Sequence, residues 1–387
     1  MIILGQVQTN IVLSILLAIL LVHAYFNMNR KKITNALFMW IMLLTLFTLI
    51  LEIFSVILNN SDFKQFIVLN KLVNITGFIL APSILYIGYL FSREWANMYE
   101  KEKIKINYIL ILPLLINALG ALASYNFNVL FYITSNYIYE RGKLFFILPC
   151  VSCIYILYNL YFIYKYRKKF TCWECILFSS FYVVPAIFSI VQLIYDKYLT
   201  IWNSTAIILV ITYIFILNDQ SNRDSLTGLE NRLAYEHYVQ NINDKKKNKL
   251  FFIYMDLDEF KKINDQYGHS AGDEAIKKFA TLLGESFVLR KKKLIRVGGD
   301  EFLVLLEEES REKVDFYLQK LIQNVKEYND GEKKPYKLKF SYGCALYTDD
   351  YENIYELYQQ VDRLMYEQKQ NKKLSKKTNK EIETRPI

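Results

Sequence analysis

Hydrophobic positions divide the chain into two parts near Leu217. Up to that point, seven long apolar segments alternate with short polar connections. Each segment approaches the roughly 20 residues that an α-helix needs to cross a bilayer. The segments lie near residues 10–27, 34–58, 72–92, 106–124, 144–164, 174–195 and 200–217. Residues 1–217 are therefore predicted to form a multi-pass α-helical membrane bundle with about seven spans.

After Leu217 the pattern changes to short apolar strands and amphipathic helices. Helices are predicted near 230–242, 272–287, 311–328 and 353–370, with strands near 250–256 and 336–346 and a hairpin over 293–306. This alternation favours an α/β (α+β) sandwich, in which helices cover a mostly antiparallel sheet. Residues 218–226 are too few for an intervening module and predict a short helical linker. The basic residues 371–387 predict a disordered tail.

Basic residues are concentrated in alternate connections of the predicted bundle. The formal net charge of +9 could indicate nucleic-acid binding, but the positions of the charges favour a membrane. The connections after the first, third and fifth spans carry Arg30, Lys31, Lys32, Arg93, Lys101, Lys103, Lys105, Lys165, Arg167, Lys168 and Lys169. The positive-inside rule then places the N-terminus outside and the second part in the cytoplasm. We predict a multi-pass protein of the cell membrane that contacts the lipid bilayer and no nucleic acid.

Two ionisable residues, His23 and Glu52, interrupt the apolar segments. An ionisable side chain inside a membrane is a functional hypothesis by default. Because each stands alone in the sequence, we favour the alternative that both pair with polar neighbours or lie near helix ends.

Acidic residues end two of the predicted strands. Gly298 and Gly299 join two apolar runs into a hairpin, since glycine reaches the positive φ that tight turns require. Asp300 and Glu301 follow at the tip, and the strand near 250–256 ends in Asp256. Acids from a strand end and a hairpin tip form an oxygen-rich site suited to hard cations such as Mg²⁺. A nucleotidyl-transfer enzyme needs this arrangement.

The second part carries an ordered series of motifs. They are Asp224-Ser225-Leu226-Thr227-Gly228-Leu229, Asn231-Arg232, the run from Asp256 to Asp265, Gly268-His269, Gly272-Asp273, the Gly298–Glu301 hairpin and Ser341-Tyr342-Gly343. In order and spacing they resemble the motifs of GGDEF domains, the diguanylate cyclases, over residues 224–370. The resemblance implies a fold like the palm domain of nucleotide cyclases.

The resemblance also implies an activity and its metal ligands. Two GTP molecules would be condensed into cyclic di-GMP with release of two pyrophosphates, in a homodimer that pairs two half-sites. The matching metal ligands are Asp256, the Leu257 carbonyl, Asp300 and Glu301, for two Mg²⁺ or Mn²⁺ ions per active site. Asp300 and Glu301 match the catalytic positions, and Asp300 matches the acceptor of the 3′-hydroxyl proton.

Substrate-binding positions carry over in the same way. Asn264 and Asp273 match the residues that read guanine, and His269 aligns with a nucleotide-site position, although packing of the loop is an equal alternative. Glu259, Phe260 and Lys261 match the residues whose backbone amides form a phosphate cradle. Lys369 and Lys373 match positions that bind the triphosphate.

The sequence departs from the resembling family at two places. Leu289 and Lys292 occupy the positions of an Arg-x-x-Asp product-inhibition motif, so no such inhibition site is predicted. Lys372 and Lys373 stand where Gly and Arg are expected. Lysine cannot grip phosphate bidentately as arginine does, so weaker triphosphate binding is expected.

Three alternatives remain open. The second part could be a module that binds GTP or cyclic di-GMP without catalysis. Such a module is expected to lack Asp256, Asp300 or Glu301. The second part could instead make mixed dinucleotides, which would favour a non-carboxylate at position 273. The membrane part is either a sensor of an unidentified ligand or an anchor that holds two catalytic domains together.

Overall fold

The computed structural model describes residues 2–59, 61–98, 103–195, 198–242, 247–288, 292–308, 310–331 and 334–383. The chain separates into two compact units, Met1–Phe215 and Ile216–Ile387. Each unit is described by itself below.

The first unit consists of long apolar helices. They are α1 (Ile2–Asn27), α2 (Ile33–Leu58), α3 (Ile67–Ala96), α4 (Ile111–Phe127), α5 (Ile147–Lys165), α6 (Cys172–Ile194) and α7 (Ile201–Ser221), the last of which continues past the unit boundary. Over the described ranges, seven helices are long and apolar enough to cross a membrane. The predicted helical bundle is confirmed. Between α4 and α5 the chain forms a small hairpin of β1 (Phe131–Ile133) and β2 (Tyr139–Arg141).

His23 and Glu52, the two ionisable residues singled out in the sequence, have polar partners. Glu52 on α2 accepts hydrogen bonds from Asn10 (2.8 Å) and Gln192 (3.3 Å). His23 on α1 lies 2.5 Å from the hydroxyl of Tyr213 on α7. Each of the two therefore has polar neighbours in the bundle.

The second unit is a four-stranded antiparallel sheet covered by helices. Its elements are α8 (Arg232–Gln240), β3 (Leu250–Leu257), α9 (Phe260–Tyr267), α10 (His269–Ser286), β4 (Lys292–Gly298), β5 (Glu301–Glu307), α11 (Arg311–Gly331), β6 (Phe340–Leu346) and α12 (Ile354–Glu383). The strand order is β4-β5-β3-β6, and every neighbouring pair is antiparallel. The predicted sandwich of helices on an antiparallel sheet is confirmed.

Alternate residues of the central strand β3 separate two apolar layers. Phe251, Ile253 and Met255 pack with side chains of α10 and α11, whereas Phe252 and Tyr254 pack with side chains of α8 and α12. Successive side chains of a strand point to opposite faces of the sheet. The position of a residue along β3 therefore determines which of the two layers its side chain faces.

The last helix differs from the sequence prediction. A disordered tail is expected from residue 371, but α12 continues to Glu383. The residues beyond Gln370 are mostly lysine, asparagine, threonine and glutamate, and extending an existing helix needs no new nucleation. The helix predicted near 353–370 is therefore longer in the structure than the sequence indicated, and 384–387 lie outside the described residues.

Gly343 on β6 allows α12 to pack closely against the sheet. A Cβ atom at this position would lie 1.9 Å from the Val361 carbonyl oxygen and 2.7 Å from the Met365 nitrogen. Because both atoms belong to the helix backbone, Gly343→Ala is expected to destabilise the β6–α12 packing by about 3 kcal/mol. Hydrogen exchange of β6 and α12 in the full-length protein should accelerate about 100-fold.

The matched control is Gly284→Ala on α10, where a Cβ would meet nothing within 4 Å. Alanine is the better helix former, so this variant should exchange no faster than the wild type. Equal exchange rates in the two variants would contradict the steric argument at Gly343.

Candidate functional site

A two-residue turn places Asp300 at the tip of the β4–β5 hairpin. Gly298 pairs with Glu301, and Gly299 and Asp300 form the turn. Gly299 has a φ of +50°, the left-handed conformation that favours glycine. The sequence thus predicted the hairpin with Asp300 at its tip, whereas Glu301 is the first residue of β5.

Strand register brings the acids of the hairpin to the end of β3. Asp256 is the direct partner of Glu301 in the β3–β5 pairing. The backbone N–H of Leu257 donates to the Asp300 carbonyl oxygen at 3.2 Å. Asp256 alternates with Tyr254, so its side chain is on the α12 side of the sheet, as is that of Glu301. Three of the predicted site acids therefore meet at one sheet end.

Burial and neighbouring negative charge raise the pKa values of Asp300 and Glu301. Burial, and then the negative charge of Asp256, raise the pKa of Asp300 above its ordinary value. Burial also raises the pKa of Glu301; a hydrogen bond from Tyr254 opposes this effect, and the charges of Asp256 and Asp300 add to it. The ammonium group of Lys369 on α12 contacts the Asp256 carboxylate. The site therefore carries more negative than positive charge.

The chemical type of these groups fits a hard divalent cation. Carboxylate oxygens and a backbone carbonyl are the ligands that Mg²⁺ and Mn²⁺ take, and a cation would offset the repulsion that raises the two pKa values. In the part of the chain that the structure describes, no three His, Cys, Asp or Glu side chains already surround one metal position. The Lys369 ammonium instead occupies part of the coordinating capacity of Asp256.

The loop after β3 leads into the predicted nucleotide-binding residues. Glu259 has a φ of +60°, and α9 begins at Phe260, so the first N–H groups of this helix have no acceptor within it. The side chain of Lys261 is exposed. The N–H groups at the start of α9 therefore form an anion-binding position directly after the acidic end of β3.

Asn264 on α9 rests against the first turn of α10. A Cβ at Gly272 would lie 2.0 Å from the Asn264 side-chain oxygen, so only glycine leaves room for the amide. Asp273 follows Gly272, and both Asp273 and His269, the first residue of α10, are exposed to solvent. The structure thus brings Asn264 next to the helical turn that carries Asp273.

A basic cavity of about 710 Å³ opens beside the acidic strand end. It is bounded by the loop after β3 and by α11, β6 and α12, with Leu338 and Phe340 among its apolar lining residues. Five lysines line it, namely Lys326, Lys337, Lys339, Lys369 and Lys372. Lys372 also donates to Asp258 at 3.4 Å and to Ser341 at 3.2 Å. The side chain of Lys373 lies outside the described part of the structure.

Comparison with known families assigns this unit. Residues 221–375 match the family model described as "Diguanylate cyclase, GGDEF domain". This part of the chain is a GGDEF domain. The assignment agrees with the resemblance seen in the sequence motifs.

Individual relatives of the GGDEF domain have different names. The chain is 33% identical over 143 residues to Diguanylate cyclase A of Treponema denticola, covering 36% of this chain and 38% of that protein. It is 34% identical over 157 residues to the cyclic di-GMP phosphodiesterase NbdA of Pseudomonas aeruginosa, covering 40% of this chain and 20% of that protein. The chain therefore spans well under half the length of these curated relatives. A structure comprising only the GGDEF domain of TpbB (YfiN) from P. aeruginosa is 29% identical, with a TM-score of 0.34, covering 38% of this chain and 89% of that chain.

An ion pair in the GGDEF domain, to which the sequence assigned no role, holds the acidic hairpin. Arg296 on β4 donates to both carboxylate oxygens of Asp224 (3.0 and 3.1 Å) and to the Gly299 carbonyl oxygen (2.8 and 3.1 Å). Partial burial alone would raise the pKa of Asp224, but hydrogen bonds from Thr227 and Arg296 outweigh it and lower the pKa. The signal in the sequence was an arginine two positions before the glycine pair.

Of the two positions that match the product-inhibition motif, the structure describes only Lys292. Leu289 lies outside the described residues. The Lys292 ammonium donates to the Phe287 carbonyl oxygen, so this side chain is engaged with the backbone of its own domain. The absence of a product-inhibition site remains a prediction from the sequence.

Proposed function

We propose that this chain is a membrane-bound diguanylate cyclase that condenses two GTP molecules into cyclic di-GMP and two pyrophosphates. The observation that carries the proposal is the convergence of Asp256, Asp300 and Glu301 at one sheet end of a GGDEF domain. A relative named as a diguanylate cyclase shares this domain. Each domain holds one GTP, so two copies must meet.

The 3′-oxygen of one GTP attacks the α-phosphorus of the other, and the bond to pyrophosphate breaks. The reciprocal attack then closes the ring and releases the second pyrophosphate. Asp300, at the tip of the hairpin, accepts the 3′-hydroxyl proton. Two Mg²⁺ or Mn²⁺ ions, held by Asp256, the Leu257 carbonyl, Asp300 and Glu301, would supply Lewis-acid stabilisation of the reacting phosphate.

The remaining predicted residues bind and orient GTP. The amides at Glu259, Phe260 and Lys261 receive phosphate at the start of α9, where the helix dipole also favours an anion. Lys369 and Lys373 neutralise the triphosphate. Asn264 and Asp273 read the base, because a carboxylate accepts hydrogen bonds from guanine N1–H and its exocyclic amine, and adenine cannot offer this pair.

Gly272→Ala tests the guanine-reading role of Asn264. The new methyl group would displace the flexible Asn264 amide while leaving the helix backbone in place, so the domain should fold normally. We expect the KM for GTP to rise about tenfold or more, with kcat changed less. Steady-state product formation in the full-length protein measures both constants. Gly284→Ala on the same helix is the control, and a similar KM in the two variants would contradict the role.

The membrane unit is proposed to hold two copies together. Its helices would raise the effective concentration of the two half-sites without any new contact between them. With the N-terminus outside, the GGDEF domain faces cytoplasmic GTP. A homodimer formed through the membrane region is compatible with either an anchor or a sensor.

The decisive experiment supplies GTP and Mg²⁺ to membranes that contain the full-length protein, with Asp300→Ala as the control. Cyclic di-GMP that appears with the wild type and disappears with the variant supports the cyclase. If the membranes bind GTP but form no product, residues 219–387 should be tested for activity as an enforced dimer. If that dimer also forms no cyclic di-GMP, the result would favour a receptor for GTP or cyclic di-GMP instead.

A further inference from the structure

Four helices of the first unit bring polar side chains together at one end of the bundle. Asn10 lies near the start of α1, Glu52 near the end of α2, Gln192 near the end of α6 and Asn203 near the start of α7. Consecutive spans run in opposite directions, so these positions share one end. It is the end away from the basic connections, which is the external end under the positive-inside rule.

The only carboxylate in this cluster of described residues is held by neutral groups. One oxygen of Glu52 accepts from the Asn10 amide at 2.8 Å, and the other accepts from the Gln192 amide at 3.3 Å. Gln192 is itself fixed by the start of α7, because its carbonyl oxygen accepts from the N–H groups of Thr200 (2.8 Å) and Ile201 (3.0 Å). Within the described ranges no lysine, arginine or histidine contacts Glu52, so an ionised Glu52 lacks a counter-charge.

Three buried side-chain oxygens of α1 and α7 also lack hydrogen-bond partners among the described residues. Asn10 is completely buried, and its side-chain oxygen has no hydrogen-bond partner in the described part of the chain. The same is true of the Ser14 hydroxyl, one helical turn further along α1, and of the Asn203 side-chain oxygen. Asn203 is linked back to α1 by its hydrogen bond to Thr9 at 2.9 Å. Unpartnered acceptors are costly inside an apolar bundle, so this set of groups calls for a cation.

We propose that the cluster binds one small monovalent cation, Na⁺, from the external side of the membrane. Glu52 supplies the counter-charge, and the side-chain oxygens of Asn10, Ser14 and Asn203 supply neutral ligands. A single carboxylate disfavours Ca²⁺ or Mg²⁺, which take several charged oxygens. The absence of a basic neighbour disfavours an anion. Such a site gives the membrane unit an input that does not depend on the proposed cyclase activity.

The test measures ²²Na⁺ binding to the purified full-length protein in nanodiscs, with choline maintaining the ionic strength. We expect saturable binding of one ion per chain, and loss of that binding in Glu52→Gln. Ser14→Ala, which removes one neutral ligand with little change in volume, should weaken the affinity several-fold. Saturating Na⁺ should raise the Tm of the wild type by about 2–4 °C. Glu94→Gln is the control, because Glu94 pairs with Arg93 outside the cluster.

Three results would overturn the proposal. The first is no saturable ²²Na⁺ binding by the wild type. The second is equal binding by the wild type and Glu52→Gln; where that variant fails to fold, unchanged affinity in Ser14→Ala decides in its place. The third is stabilisation by acid alone, with the same dependence on Glu52 and none on Na⁺, which would identify a proton site.

Discussion

Replacing Asp300 with asparagine is expected to reduce cyclic di-GMP formation by about 10³-fold or more. Asparagine keeps the shape of the hairpin tip but can neither accept the 3′-hydroxyl proton nor supply a negative ligand to a metal ion. The measurement is product formed from GTP and Mg²⁺ by the full-length variant. Retention of more than a tenth of the wild-type rate would contradict a catalytic role for this carboxylate.

The same substitution should stabilise the metal-free domain. The folded-state pKa of Asp300 is above its ordinary value, so the folded state binds more protons than the unfolded state, and stability falls as pH rises through that interval. Removing the carboxylate relieves this penalty at pH 7.5 and changes nothing below about pH 4. In EDTA, hydrogen exchange at β3 and β5 should therefore slow in Asp300→Asn. Asp265→Asn, an exposed change on α9, is the control; faster exchange in Asp300→Asn would contradict the charge argument.

Strong local patterns account for the parts of the fold that could be predicted. Seven apolar segments, the glycine turn and the alternation of β3 each follow from the sequence within a short window. The length of α12 did not, because a lysine-rich segment after a helix has the composition of a solvated tail and also extends a helix readily. The strand order depends on contacts between distant segments, which no short window contains.

The candidate site shows the same division. Asp256, Asp300 and Glu301 were predicted because they end strands next to glycine or apolar runs, and register then brings two of them into direct pairing. The Arg296–Asp224 pair was missed because its members are 72 positions apart. The contact between Gly272 and Asn264 also depends on the angle at which α9 meets α10, which the sequence does not reveal.

Lys369→Met should change the stability of the metal-free domain in the opposite direction from Asp300→Asn. Lys369 contacts Asp256, and both side chains are mostly buried, so its loss leaves the acidic site without this positive partner. Under the proposed function, the variant also lacks a group that neutralises the GTP triphosphate. We expect kcat/KM for GTP to fall about 10–100-fold, mainly through KM, and hydrogen exchange at β3 and α12 to accelerate in EDTA.

Added Mg²⁺ should reverse most of the stability loss in Lys369→Met, because a cation can then occupy the place that the ammonium leaves on Asp256. Lys277→Met, at an exposed position on α10, controls for the loss of a surface charge and should behave as the wild type. The two variants, Asp300→Asn and Lys369→Met, should change the stability in opposite directions in EDTA, and the difference should shrink when Mg²⁺ is present. This result would mean that the sheet end is a negatively charged site that binds a cation. Equal signs would mean that Lys369 merely packs there, and that its contact with Asp256 does not balance the site.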